Sequence, residues 1–78
     1  MITLPLTQLK SGQSAVIQGF SVKLSKHSRK LFQQLGIRQH MSITLIRRAP
    51  LGDPLELAIV DSHFSLRSCE AQYIYVSI

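Results

Sequence analysis

Metal coordination is the chemistry that the side chains of this sequence first suggest, through His27, His40, His63, Asp53, Asp61 and Glu70. A histidine and carboxylate metal site wants several nitrogen and oxygen ligands converging, as in a two-histidine, one-carboxylate set. No two histidines stand at helical i, i+4 or another close ligand spacing, and the carboxylates are scattered. Asp61 and His63 can share one strand face, but two ligands hold a metal weakly. Exposed polar histidines with no resident metal are therefore expected. Cys69 is the only cysteine, so one chain can build neither an internal disulfide nor a thiolate zinc site. No feature around it argues for an activated thiolate, and Cys69 reads as a small buried hydrophobe. The sequence has no glycine-rich phosphate loop, no nucleophile elbow and no suggestively spaced carboxylate pair. These observations point to a binding module, with no catalysis and no cofactor.

The candidate binding residues lie in Arg47-Arg48-Ala49-Pro50-Leu51-Gly52-Asp53-Pro54. Pro50 and Pro54 fix two φ angles and lack amide donors, and Gly52-Asp53 tolerates positive φ. The segment is too long for a two-residue hairpin turn, and such loops more often serve binding than folding. Arg47 and Arg48 enter the loop from a strand, where adjacent residues face opposite ways, so at most one serves any one surface. One arginine pairs a carboxylate across an interface, or one pairs Asp53 internally and holds the loop. Leu51 is either an exposed anchor for a partner groove or folds back onto the core. Arg67 is expected to close the structure by bonding backbone carbonyls or Glu70.

Charge offers a second surface. Nine Lys and Arg against four Asp and Glu give a net charge of +5. The cations cluster at Lys23, Lys26, Arg29 and Lys30 and at Arg38, Arg47 and Arg48. Such faces attract acidic protein, anionic lipid or nucleic acid, or simply keep a small domain soluble. Lys26, Arg29 and Lys30 form the alternative partner face.

The elements that must position these residues follow from hydrophobic periodicity. Met41, Ile43 and Leu45 alternate with polar residues before the loop, and Leu55, Leu57 and Ile59 do so after it, giving two strands. Leu9 to Gln13 reads as a turn, and Ser14 to Phe20 as a first strand with a bulge signal at Gly19. Lys26 to Leu35 reads as a helix, capped by Ser25, stopped by Gly36, with Leu31, Phe32 and Leu35 on one face. His63 to Arg67 is a fourth strand, with Phe64 and Leu66 sharing a face, and Ser68 to Ala71 is a single helical turn. Tyr73 to Ile78 closes the chain, with Ile74, Val76 and Ile78 facing in and Tyr73 and Tyr75 facing out. Five strands around one helix imply a mainly β fold, a small bent antiparallel sheet or barrel.

With 78 residues the chain is one domain, 1–78, with one small core, and 45% hydrophobic residues argue against disorder. The longest aliphatic run, Leu57 to Val60, falls far short of the roughly 20 residues that span a bilayer. Met1 to Leu6 lacks a basic n-region and is broken by Pro5, so it does not read as a signal peptide, and a cytoplasmic address is expected.

The run Ser28 to Ile37, the loop Arg47 to Pro54, and Leu66-Arg67 together resemble the ferrous-iron transport protein A family, FeoA, in one register from Leu9 to Val76. The resemblance implies an SH3-like barrel that acts in the cytoplasm on FeoB, the membrane ferrous-iron transporter with a cytosolic GTP-binding domain, and that catalyses nothing itself. The chain departs from the family's Leu-Gly-x-x-x-Gly pattern by carrying His40 at the second glycine, which leaves that surface bulkier. Asp61-Ser62-His63 is a second departure, at a position where many members turn more simply. Two readings of function emerge: an accessory regulator docked on the transporter, recruited to the inner face of the membrane through it, or a basic module that binds nucleic acid or serves a metal-dependent repressor. Single-strand binding wants aromatics interleaved with cations, and no Lys or Arg lies near Tyr73 and Tyr75 on their strand.

Overall fold

Six strands form one antiparallel sheet in the computed structural model, which describes residues 2–78. In chain order they are β1 (Thr3–Pro5), β2 (Ser14–Phe20), β3 (Ser42–Arg48), β4 (Leu55–Ile59), β5 (Ser62–Leu66) and β6 (Ile74–Ser77). Helix α1 spans Lys26–Gln34 and the single-turn α2 spans Ser68–Ala71. The spatial order is β1-β6-β2-β3-β4-β5, so β1 and β5 are the edges of an open, bent sheet. β1 is the strand that periodicity misses: it has three residues, ends in Pro5, and is held through pairing of Leu4 with Val76. A proline is tolerated there because an edge strand need not donate on both sides.

Two bulges bend the sheet. One lies between Ile17 and Gly19, where β2 meets β6, as the glycine signalled. The other lies between Leu45 and Arg47, where Leu45 pairs with Leu57, Arg47 with Glu56 and Arg48 with Leu55. Without that extra residue, strict alternation from Ile43 and Leu45 would turn Arg47 into the core. The bulge instead puts Arg47 beside outward Glu56 and Arg48 beside buried Leu55.

Helix α1 begins because Ser25, in extended conformation, accepts a hydrogen bond from the Ser28 amide. It ends at Gly36, whose φ of +82° allows the Ile37 amide to reach back to the Phe32 carbonyl at 2.9 Å and the Gly36 amide to reach Gln33 at 3.1 Å. This is a Schellman closure, and Phe32 and Ile37 are both buried against it. Phe32 therefore anchors the helix on the sheet, while Leu31 and Leu35 flank it half-buried. His40 sits at φ +74° and donates its amide to the Ile17 carbonyl at 2.7 Å. The turn that glycine makes in the resembling family is thus made here by histidine.

The core comprises Leu6, Leu9, Ile17, Phe32, Ile37, Ile43, Leu45, Leu55, Leu57, Leu66, Ile74 and Val76 with smaller neighbours. Three expectations on its border are corrected. Cys69 is exposed, because the one-turn helix α2 turns its buried face through Ala71. Ile78 is 48% exposed and lies past the last strand residue, Ser77. Tyr73 is half-buried and packs against the core, whereas Tyr75 does face outward. No helix among the described residues is long and apolar enough to cross a membrane.

Candidate interaction site

The β3–β4 loop has a fixed shape. The Ala49 amide donates to the Pro54 carbonyl at 3.0 Å, and the Gly52 amide donates to Ala49 at 2.7 Å. Gly52 has φ +90°, a conformation that a side chain would strain. The tip residue Leu51 is 97% exposed, so it stands off the core rather than folding onto it.

The charged residues around the tip have separate tasks. Arg47 leaves the outer face and pairs with Glu56 across the strands, not with Asp53. Both side chains are well solvated, so the pair contributes at most about 1 kcal/mol. Arg48 emerges on the inner side, and its guanidinium donates to the carbonyls of Thr7 and Leu9, the latter at 3.0 Å. It thereby fastens the 3-10 turn Leu6–Gln8 to the end of β3. Asp53 accepts the Ser68 amide at 2.7 Å through Oδ1 and lies 3.8 Å from Arg67 through Oδ2. Ser68 is the first residue of α2, and Arg67 at the N-cap supplies no side-chain cap. A carboxylate from a distant loop therefore does the capping. The expectation that Arg67 bonds backbone carbonyls or Glu70 is corrected: its partner is Asp53, and its side chain is 71% exposed.

Two depressions border this region. One, of about 390 Å³, is lined by Thr7, Ser68, Cys69 and Gln72. The other, of about 170 Å³, lies along β3, β4 and β5 and is lined by Ile46, Glu56, Leu57, His63, Phe64 and Ser65. Among the described residues, no three His, Cys, Asp or Glu side chains come together. His27, His40 and His63 are all exposed and lie apart in sequence, on α1, in the turn before β3 and on β5. Asp61 sits in the turn before β5, so the strand face that was to join it to His63 does not form.

The structure thus divides the predicted site. Pro50 and Leu51 face solvent, Arg47 is exposed but paired, and Arg48 and Asp53 bind inside the fold. Lys26, Arg29 and Lys30 lie exposed on α1, which supplies no hydrogen-bond partner to the loop. Sequence reasoning missed Glu56 as the partner of Arg47 and the Thr7 and Leu9 carbonyls as partners of Arg48. The signal for the first was the break in alternation at Leu45-Ile46-Arg47; nothing local signals the second.

Comparison with known proteins adds an independent finding. A family model described as the FeoA domain matches residues 4–78. The solution structure of a FeoA protein from Chlorobium tepidum superposes with a TM-score of 0.87 at 29% identity, covering 96% of this chain and 70% of that one. The zinc-complexed FeoA of Stenotrophomonas maltophilia, described as an SH3 domain protein possibly acting as a ferrous iron transport activating factor, gives 0.81 at 22% identity over 95% and 89% of the two chains. A manganese-dependent transcriptional repressor gives 0.86 at 20% identity, over 96% of this chain but 41% of the repressor. No curated protein matches the chain.

Proposed function

The chain belongs to the FeoA family, whose members are associated with ferrous-iron transport, and on that premise we propose that it is a cytoplasmic accessory regulator that docks on the cytosolic GTP-binding portion of a FeoB-type transporter. It works by binding and catalyses no step of its own. The docking element is the β3–β4 loop: Leu51 enters an apolar groove of the partner, Pro50 stiffens the approach, and Arg47 exchanges or shares Glu56 with a partner carboxylate. Arg48 and Asp53 contribute indirectly, by holding the loop in place.

The observation that carries this reading is the 97% exposure of Leu51 on a loop whose shape is already closed by its own hydrogen bonds. An exposed leucine on a preformed loop adds apolar burial on docking with little ordering cost. Fully burying such a side chain is worth about 1.5–3 kcal/mol, or on the order of ten- to a hundredfold in affinity. Regulation requires more than docking. A bound protein shifts a nucleotide-linked equilibrium only through different affinities for the two states.

The test is a titration of this chain against the transporter's GTP-binding domain, loaded in turn with GDP and with a non-hydrolysable GTP analogue. Affinity is expected to differ between the two states and to fall at least tenfold for Leu51→Ser. Equal affinity in both states would remove the regulatory role, and an unaffected Leu51→Ser variant would remove the loop as the docking face. The nucleic-acid reading is weakened by Tyr73, which packs against the core and leaves Tyr75 alone as a stacking surface.

A further inference from the structure

No Asp or Glu precedes Asp53 in the sequence, so the first two-thirds of the chain carries cations alone. In the fold, Arg47 and Arg67 have carboxylate partners, and Arg48 has carbonyls. Lys23, Lys26, Arg29, Lys30 and Arg38 have no ion-pair partner among the described residues, and all are exposed. Lys26, Arg29 and Lys30 stand at i, i+3 and i+4 on α1, within a third of the helix circumference and on the side away from the apolar face of Leu31, Phe32 and Leu35.

That arrangement works against the helix. Like charges at these spacings repel, and the cations begin at the first residue of α1, where the helix dipole is positive and no acidic residue offsets it. Immediately before the helix, Val22 is 94% exposed. It is held on a tight turn whose ends are fixed: the Ser21 amide donates to Tyr73 at 2.8 Å, the Leu24 amide donates to Ser21 at 3.1 Å, and Leu24 is buried. An apolar tip is therefore presented rigidly beside an uncompensated basic face.

We propose that this face, Val22 with Lys23, Lys26, Arg29 and Lys30, binds the anionic headgroups of a membrane surface. Complementarity of charge selects an acidic partner. Lysines dominate, and no side chain of the four cations is fixed by a hydrogen bond within the described residues. Mobile point charges suit a fluid array of headgroups, whereas recognition of carboxylates fixed on a protein favours the planar fork of arginine. Val22 would enter the interface between headgroups and acyl chains, a role that nucleic acid does not offer. Phe20 and Phe32, whose ring centres lie 6.0 Å apart, turn inward and supply no stacking surface for bases. The proposal does not depend on the β3–β4 loop or on any protein partner.

Flotation of the free chain with vesicles tests it. Binding is expected to vesicles of phosphatidylcholine containing roughly one-third phosphatidylglycerol, not to phosphatidylcholine alone, and to weaken as salt rises. Each cation is worth about fivefold near such a surface, so Lys26→Gln, Arg29→Gln and Lys30→Gln together should weaken binding on the order of a hundredfold. Val22→Ser should weaken it severalfold and leave its salt dependence unchanged. Lys26→Glu, which relieves repulsion within the helix, guards against loss by unfolding and should also weaken binding. Failure to bind anionic vesicles at low salt, equal binding to neutral vesicles, or unchanged binding by the triple variant overturns the proposal. So does tighter binding to duplex DNA or polyglutamate than to vesicles of equal charge.

Discussion

Replacing Asp53 with alanine should lower the stability of the fold markedly although the residue lies in a surface loop. Its carboxylate makes two contacts of very different worth. The bond from the Ser68 amide is 2.7 Å long and joins a charged acceptor to the otherwise uncapped start of α2. Such bonds contribute about 1.5–3 kcal/mol, and the lower part of that range applies because about a third of the Asp53 side chain is exposed (34%). The approach of Arg67 is 3.8 Å with the arginine 71% exposed, so screening reduces it to a few tenths of a kcal/mol. Asp53→Ala should therefore cost about 2 kcal/mol, which for a domain of this size lowers Tm by roughly 10 °C. Asp53→Asn keeps an oxygen acceptor for the Ser68 amide and should cost less than about 1 kcal/mol. Arg67→Ala should cost less than about 0.5 kcal/mol. Thermal unfolding followed by far-ultraviolet circular dichroism, with urea titration for the free energies, measures all three. Equal losses for the alanine and asparagine variants would show that the capping bond is not the cause. A loss on Arg67→Ala as large as on Asp53→Ala would show that the ion pair had been undervalued.

Changes at four other positions have definite expectations. Leu51→Ser should leave stability within about 0.5 kcal/mol of the parent by urea titration, since a fully exposed tip has no packing to lose. Arg48→Met should cost about 2 kcal/mol in the same measurement by stranding the Thr7 and Leu9 carbonyls, and Arg48→Lys should recover only part of it, since both bonds come from one terminal guanidinium nitrogen and the ammonium stands on a shorter stem. Val60, 80% exposed, occupies φ +53° in the two-residue turn between β4 and β5, where a β-branched residue is strained by about 1–2 kcal/mol. Val60→Gly should raise Tm by a few degrees, the gain being trimmed by the extra freedom of glycine in the unfolded chain. Lys26→Glu should stabilise the protein by about 1 kcal/mol in urea, because a carboxylate at the first helical position meets the dipole and pairs with Lys30 at i+4.

Much of the fold was legible in the sequence because local patterns and tertiary demands agree. Ser25, Gly36 and the alternation around the β3–β4 loop each give a signal that the final structure obeys. What was illegible depended on partners far away in the chain. β1 has too few residues for a period and exists because Val76 and its neighbours offer an edge. The exposure of Cys69 depended on which side of a one-turn helix meets the core, and four residues do not fix that phase. The partner of Arg67 lies 14 positions away in sequence, on a loop whose path had to be known first.

The segment that carries the resemblance is largely spent on the fold itself. Within Arg47 to Pro54, Arg48 holds the 3-10 turn, Asp53 caps α2, Gly52 permits the bend, and Pro54 accepts the bond that closes the loop. Only Pro50 and Leu51 face solvent without an internal task, with Arg47 lightly engaged by Glu56. A residue with an internal task can be required for folding whatever the partner is, so its presence identifies the architecture and says little about the contact. Partner choice must therefore rest on a few outward residues: the Leu51 tip, the surface around Ile46 and His63, and the basic face beside Val22. It follows that a variant altering Asp53 and Leu51 together cannot reveal the docking face, because loss of binding would report loss of the cap as readily as loss of the anchor. Leu51 changed alone separates the two, since binding then falls while Tm stays where it was.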